Sequence, residues 1–430
     1  MTVLNPLSQE LRSNMRHLYL DIIWVGVVSG STLSFLGIFA ARLGASSLQM
    51  GLLVSGPALI NLLVSLPTGR WLEERHLVKA AFWGAFVARL GFVAMIFLPW
   101  LFSKPDQIWG AIWITLMMSI PATVLNISFN SLFAGVVPPE WRSTVVGRRN
   151  ALVAAVTTAV VYLCGQILDR VVFPLNYQLV FTMGAVGALV SCYHIYQIRL
   201  PGETTRVLSW TPRAIQWDRI VSRFQNFRLL LFARRDWASH PDYTPLLRLD
   251  VLRSPFGTFM LAYLLFYLFQ YVPGALFALY NVNDLKLTDG EIGIGNALLY
   301  IFMTIVSLGL SRISLRLGHR KTLVFGSLVF WGYPFLLYLA RGPVMFWVAS
   351  AFAGAVWALI GGGLANRLME RVPANDRPAH MAWHNLVFNL GVMAGTMLGP
   401  LGSNWLGLRN MMLASAVLRL LGGLILLMWG

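Results

Sequence analysis

The feature that most constrains this chain is a series of long apolar segments that recur along almost its whole length. A helix needs about 20 apolar residues to cross the hydrocarbon core of a bilayer, and the sequence holds twelve such segments. We place them at residues 17–40, 48–68, 79–101, 109–136, 149–169, 176–198, 255–279, 290–313, 322–340, 343–366, 380–402 and 406–429. Continuous runs of this length exclude a transmembrane barrel, whose strands alternate over about 10 residues. The sequence therefore predicts an all-α polytopic membrane protein.

The composition excludes the soluble classes. Of the 430 residues, 57% are hydrophobic and 12% are charged, whereas an average soluble protein is about 25% charged. A formal net charge of +16 is typical of nucleic-acid binders, but the apolar composition argues against that partner. Cys164 and Cys192 both lie in apolar segments, a setting that indicates neither a disulfide framework nor a metal site. We expect no cofactor and no bound metal.

The basic residues are distributed unequally between the two sides of the predicted membrane. Of the 33 lysines and arginines, 25 fall on the side of the N-terminus, six on the opposite side, and two inside spans. Their alternation from loop to loop is the positive-inside pattern. It predicts cytoplasmic termini in a plasma (bacterial inner) membrane, with anionic lipid head groups as partners of the basic face.

The two halves of the chain repeat each other. Residues 137–142, which lead to Asn150, match residues 372–377, which lead to Asn385, at an offset of 235, and residues 44–51 face 286–293 at an offset of 242. Parallel halves are a known transporter architecture. We predict two six-helix repeats around a central cavity, an N-terminal bundle at 1–199 and a C-terminal bundle at 254–430. In the cytoplasmic linker at 200–253, the apolar spacing of residues 211–235 predicts an amphipathic helix on the membrane surface.

With this layout and long central loop, the chain resembles the major facilitator superfamily. The superfamily's signature in the loop between spans 2 and 3 is Gly-x-x-x-Asp-Arg/Lys-x-Gly-Arg/Lys-Arg/Lys. Half of it is matched in loop 2–3 of this chain, and half is matched again after span 8. The antiporter glycine-proline signature is absent from span 5. The resemblance implies that spans 1, 4, 7 and 10 line the cavity, that spans 2, 5, 8 and 11 join the halves, and that these loops form a cytoplasmic gate. A solvated turn is the alternative. The predicted gate residues are Gly69, Glu73, Arg75, Arg142, Arg316, Gly318, Arg320 and Arg377.

Polar side chains recur at helical spacing on the spans that the resemblance assigns to the cavity and the interface. In lipid such side chains are expected to face the bundle interior or a cavity, although Ser, Thr and Asn also join helices directly. The predicted cavity residues are Asn126, Asn130, Tyr162, Gln166, Tyr267, Gln270, Tyr271, Asn296, Tyr300, Trp357, Asn385 and Asn389. Their aromatic members suit an amphipathic or aromatic ligand. Gly361–Gly363 in span 10 indicates either a hinge or close packing.

Three charged residues fall inside predicted spans: Asp21, Arg89 and Arg419. A charge at this depth is expected to be paired or to lie beside water. Asp21 is therefore the candidate for proton coupling, and Arg89 is its candidate partner or a contact for an anionic substrate. The alternatives are an interfacial Asp21 bonded to Arg16 or lipid, and an Arg89 that extends to the head groups. Arg419 is predicted to be structural.

No enzyme motif is evident, because a phosphate-binding glycine loop with lysine and metal-ligand spacings are both missing from the sequence. We predict a monomeric secondary active transporter that moves a small uncharged or amphipathic solute by alternating access, with proton-coupled efflux as a sub-hypothesis. The few intramembrane carboxylates and the incomplete signatures motivate an alternative: a non-transporting protein of similar fold that acts as an assembly factor, sensor or lipid/pigment handler.

Overall fold

The computed structural model describes residues 9–73, 75–200, 249–373 and 377–430. Throughout these ranges the regular structure is helical, and none of their residues lies in a strand. This confirms the predicted all-α class. The amphipathic helix predicted at 211–235 lies outside the described residues.

Six helices form the N-terminal half. Several begin well before the apolar segment that predicted them, since polar first turns such as the one at Pro139 extend the helix beyond the apolar run. α1 also contains one π-helical turn, Ser29–Leu33. The bounds are α1 Gln9–Arg42, α2 Ser47–Glu73, α3 Leu77–Leu101, α4 Lys104–Val136, α5 Pro139–Arg170 and α6 Leu175–Tyr196.

The C-terminal half supplies the other six crossings, several of them interrupted. α7 is made of Pro255–Tyr271, Phe277–Leu279 and a π-helical turn, Tyr280–Asp284, and α9 is made of His319–Val329 and Gly332–Leu339. The others are α8 Asp289–Leu317, α10 Pro343–Arg371, and α11 with α12, which form one run, Arg377–Trp429, divided at Gly407 with φ 77°. Ten helices in the described ranges are long and apolar enough to cross a membrane. One of the ten covers α11 and α12, and the broken α7 completes twelve crossings.

The break in α7 follows from two residues. Pro273 has no amide hydrogen to donate to the carbonyl four residues earlier, and the Gly274 amide donates to Tyr271 O at 2.9 Å rather than to Gln270 O. Helical bonding resumes where the Tyr280 amide donates to Leu276 O at 2.8 Å. At the offset of 242, the π-helical turn of α1 corresponds to residues 271–275, so the first helix of each half is irregular at the same place.

The two halves meet along α2 with α11, along α5 with α8, and where the end of α1 contacts that of α7. Small residues permit the closest approach: a Cβ atom added to Gly165 of α5 would lie 3.1 Å from the Gly293 Cα of α8. We call the end of the molecule that carries loops 43–46 and 285–288 the distal end. The opposite end, which carries the first and last described residues, is the proximal end.

Candidate solute pathway

Four residues tie the halves together at the distal end, and we call them the distal cluster: Arg42, Tyr177, Leu287 and Asp289. Arg42 donates from Nε and Nη2 to Asp289 Oδ1 at 3.0 and 2.9 Å, and from Nη2 to the Leu287 carbonyl. The Tyr177 hydroxyl donates to Asp289 Oδ2 at 2.8 Å. The Asp289 side chain is 9% exposed and that of Arg42 is 32% exposed. One carboxylate therefore receives three hydrogen bonds from the opposite half.

The local sequence places Asp289 at the first turn of α8. Thr288 caps this helix: its hydroxyl accepts from the Glu291 amide at 3.1 Å while Glu291 Oε2 accepts from the Thr288 amide at 2.8 Å. This capping box fixes where the helix begins. A carboxylate in the first turn also interacts favourably with the positive end of the helix dipole. The cap thus fixes the position of Asp289 facing the N-terminal half.

Further contacts between the halves lie in the distal portions of the helices. The Thr288 hydroxyl donates to Asp169 Oδ2 at 2.8 Å. Ser55 Oγ lies 3.3 Å from Met397 Sδ, joining α2 to α11. The side chain of Ser34 in α1 lies near that of Tyr300 in α8. These hydrogen bonds between the halves all lie in the distal region.

At the proximal end, predicted gate arginines bond within their own half. Arg142 donates from Nε to Val137 O at 3.0 Å and from Nη2 to Ala134 O at 2.6 Å. Arg320 Nη2 donates to Leu427 O at 2.9 Å, joining α9 to α12. These two arginines therefore stabilise each half separately.

The other predicted gate residues occupy helix ends and turns. The Arg75 guanidinium lies 5.3 Å from the Trp71 ring centroid, and Arg316 is exposed at the end of α8. Gly318 has φ 83° between α8 and α9, a backbone conformation that favours glycine. An added Cβ at Gly69 would meet no atom within 4 Å. The side chains of Glu73 and Arg377 lie outside the described part of the structure.

Several predicted cavity residues are exposed on the helices that the resemblance assigns to the space between the halves. Asn126 and Asn130 of α4 and Asn385 of α11 have exposed side chains. Gly361 of α10 is also exposed, and an added Cβ there would meet nothing within 4 Å. An added Cβ on Gly363, by contrast, would lie 2.9 Å from the Leu323 backbone. The glycine triplet thus combines an open position with close packing.

The remaining predicted cavity residues are less accessible. Tyr267 and Gln270 of α7 and Asn389 of α11 are buried, the Tyr267 hydroxyl lying 3.2 Å from His384 Nε2. Asn389 Nδ2 donates to Asn385 O at 2.8 Å. Gln166, Tyr271, Asn296, Tyr300 and Trp357 are half-buried, and Tyr162 is 52% exposed. The Tyr267 and Tyr271 rings pack edge-on against Phe388 of α11, so this aromatic surface lies between helices of one half.

Asp21 belongs to a buried polar cluster of the N-terminal half. Its Oδ2 accepts from Arg149 Nη2 at 3.2 Å, and Arg149 Nη1 donates to Leu18 O at 2.9 Å. The Ser191 hydroxyl donates to Asp21 Oδ1, and Arg89 Nη2 donates to that hydroxyl at 2.8 Å. Arg89 therefore reaches Asp21 only through Ser191, and the direct partner is Arg149. This network joins α1, α3, α5 and α6.

Sequence reasoning missed both Arg149 and the distal cluster. Arg149 is the first residue of the predicted segment 149–169, although the Pro139 start of α5 places it ten residues inside a helix. The start at Pro138-Pro139 is the signal that identifies Arg149 as a helical residue. Arg42 and Asp289 lie just outside the predicted segments 17–40 and 290–313, and no pattern in the sequence pairs two residues 247 positions apart.

Residues 259–430 match the family model of the Major Facilitator Superfamily. Solved structures of the same fold include a nucleoside transporter, with 10% identity, 97% of this chain and 99% of that chain covered, and a TM-score of 0.67. A bacterial homologue of the iron transporter ferroportin in an inward-facing state has 16% identity, coverage of 98% and 99%, and a TM-score of 0.68. A D-xylose-proton symporter has 14% identity, 97% coverage of both chains and a TM-score of 0.68. No curated protein matches the sequence.

Proposed function

We propose that the chain is a member of the major facilitator superfamily and a secondary active transporter that moves a small uncharged or amphipathic solute by alternating access. It is an integral membrane protein with a transporter fold, which supports membrane transport as its general function. The substrate class, the coupling and the direction are the proposed part.

The observation that carries this proposal is the uneven contact between the halves. The distal cluster and its neighbours join them at one end, while Arg142 and Arg320 at the other end bond within their own halves. Two rigid halves fastened at one end are what alternating access requires of one of its states. The positive-inside pattern favours a cytoplasmic proximal end. The structure then corresponds to a state closed to the outside, and breaking the distal cluster permits the opposite state.

The proposed solute is uncharged because the exposed side chains among the predicted cavity residues are neutral. Asn126, Asn130 and Asn385 offer amide donors and acceptors without a net charge, whereas Asp21 and Arg89 bond inside the N-terminal half. A ligand site usually combines an apolar surface with a few polar groups that orient the ligand. The open position at Gly361 leaves room for such a ligand beside α10.

Proton coupling through Asp21 is part of this proposal. Since Asp21 is 2% exposed and bonded to Arg149 and Ser191, protonation would act by loosening α1 from α5 and α6. Direct contact between Asp21 and the solute is not required. A uniporter on the same scaffold would leave Asp21 with a structural role only.

The test is flux through the purified protein in liposomes, with and without a pH gradient. Neutral polar solutes such as nucleosides and pentoses come first, because structures of similar fold are named as a nucleoside transporter and a D-xylose-proton symporter. Saturable uptake that exceeds that of empty liposomes is expected, and D21N abolishes its dependence on the gradient if coupling runs through Asp21. Absence of flux across the panel, with a stable protein partner co-purifying, would instead favour an assembly factor.

A further inference from the structure

Arg419 of α12 is a buried arginine with no acidic partner among the described residues. It is 4% exposed and donates from Nη2 to the Gln270 carbonyl of α7 at 2.9 Å. Its guanidinium carbon lies 4.5 Å from the ring centroid of Phe330, 5.6 Å from that of Phe277 and 5.8 Å from that of Tyr333. Aromatic faces attract a guanidinium without fixing its direction strongly. The hydrogen bond to the Gln270 carbonyl therefore determines the orientation of this guanidinium.

That carbonyl needs a donor from outside its own helix. In an unbroken helix the Gly274 amide would supply it, but here Gly274 bonds Tyr271 O, and the neighbouring Pro273 has no amide hydrogen. An unpaired carbonyl in an apolar interior is costly, and the end of a helix where carbonyls are free attracts a cation. Arg419 meets both requirements at the break in α7.

In the N-terminal half, the corresponding irregularity in α1 is stabilised by side chains of the same helix. In α1 the Ser34 hydroxyl donates to Ser29 O at 2.7 Å and the Ser31 hydroxyl donates to Val27 O at 2.6 Å. At the repeat offset of 235, Arg419 corresponds to Gly184 of α6, where an added Cβ would clash with Thr32. The turn in α1 is thus stabilised by its own side chains, whereas the break in α7 depends on another helix.

We propose that Arg419 is a positioning residue that holds the distal part of α7, residues 277–284, against α1 and so favours distal closure. This part of α7 contacts α1 directly: a Cβ added to Gly37 would lie 3.5 Å from the Ala278 Cβ. It also leads within a few residues to Leu287 and Asp289 of the distal cluster. Movement of α12 away from Gln270 would release both contacts.

The experiment is cross-linking between the two contacting positions. G37C and A278C are introduced in the full chain with C164A and C192A, since a Cβ separation near 3.5 Å lies within the range of disulfides. In lipid, the rate of disulfide formation is compared among the parent, R419M, R419K and the control R320M, which also removes an arginine bonded to a carbonyl. R419M is expected to slow the cross-link about tenfold, because one buried carbonyl loses its donor. R419K and R320M are expected to remain near the parent rate.

Two results would overturn the proposal: a parental rate in R419M, or a rate in R419K as low as in R419M. If R419M does not fold, stability is read from P273A, which removes the proline that interrupts α7 and so permits the Gly274 amide to donate to Gln270 O. P273A/R419M is then expected to recover folded protein, and failure to recover it counts against the proposal. Cross-linking needs no solute, so its failure leaves the transport proposal intact, and absence of flux leaves this inference intact.

Discussion

Replacing Asp289 with asparagine is expected to shift the protein towards a state open at the distal end. The substitution keeps the size of the side chain and one acceptor oxygen, but it removes the negative charge that three donor groups share. Arg42 Nε, Arg42 Nη2 and the Tyr177 hydroxyl lie at 3.0, 2.9 and 2.8 Å from its oxygens. These bonds join the halves, so weakening them destabilises only the distally closed state.

The magnitude follows from the kind of bond and its exposure. A hydrogen bond to a charged group contributes about 1.5–3 kcal/mol and a neutral one about 1 kcal/mol. Because Arg42 is 32% exposed, solvent screening reduces the arginine contribution. We expect a net loss of about 2 kcal/mol, which changes the ratio of distally closed to distally open protein roughly thirtyfold.

The assay is the labelling rate of a single cysteine, S34C, in a chain that carries C164A and C192A. Position 34 lies between the halves, eight residues before Arg42 in α1, since the Ser34 side chain is near that of Tyr300 in the opposite half. A membrane-impermeant maleimide added outside intact cells is expected to label S34C faster in D289N than in the parent.

The matched control is E291Q, two residues further along α8. It removes the same charge, but the Glu291 side chain accepts from the amide of Thr288 and caps its own helix. Its labelling rate is expected to stay at the parental value. The reasoning is refuted if D289N labels no faster than the parent, or if E291Q raises the rate equally.

Three further substitutions test other parts of the structure. D21N leaves Arg149 buried without its ion pair, so the free energy of unfolding is expected to fall by about 3–5 kcal/mol. Thermal melting measures this loss of stability. The double variant D21N/R149M is expected to recover part of the lost stability. G165A adds a Cβ 3.1 Å from the Asp289 carbonyl and from the Gly293 Cα, and is expected to slow the distal cross-link. G361L enters open space, so its melting temperature should match that of the parent while solute flux falls.

The number and type of the helices were predictable because they depend on length and apolarity. The thickness of the bilayer sets a common minimum length for every span. Apolar runs such as 79–101 therefore predict helices without knowledge of their neighbours. In this case α3 ends at the predicted Leu101. The ends that were missed are polar: α5 begins at Pro139, ten residues before its apolar run. Such turns continue a helix beyond the membrane, and hydropathy does not report them.

The partners of the charged residues were not predictable, since they depend on how separate helices are rotated against each other. The sequence identified Asp21 and Arg89 as unusual, yet Ser191 separates them and Arg149 binds Asp21. Arg419 is predicted to be structural from the sequence, which does not indicate its partner. The partner is the Gln270 carbonyl, at the place where Pro273 breaks α7.

The intramembrane charges share one property that bears on the solute. Arg149 and Arg89 surround Asp21 inside the N-terminal half, and Arg419 lies among rings inside the C-terminal half. A charge placed between the halves would be exposed in one state and buried in the next, and the burial would cost several kcal/mol in each cycle. In the proposed alternating-access cycle, charges held within a half avoid that cost because each half keeps its packing as the two halves move. The amides of Asn126, Asn130 and Asn385 are less costly to bury than charged groups, and their exposed positions therefore support the proposal of a neutral solute rather than an ion.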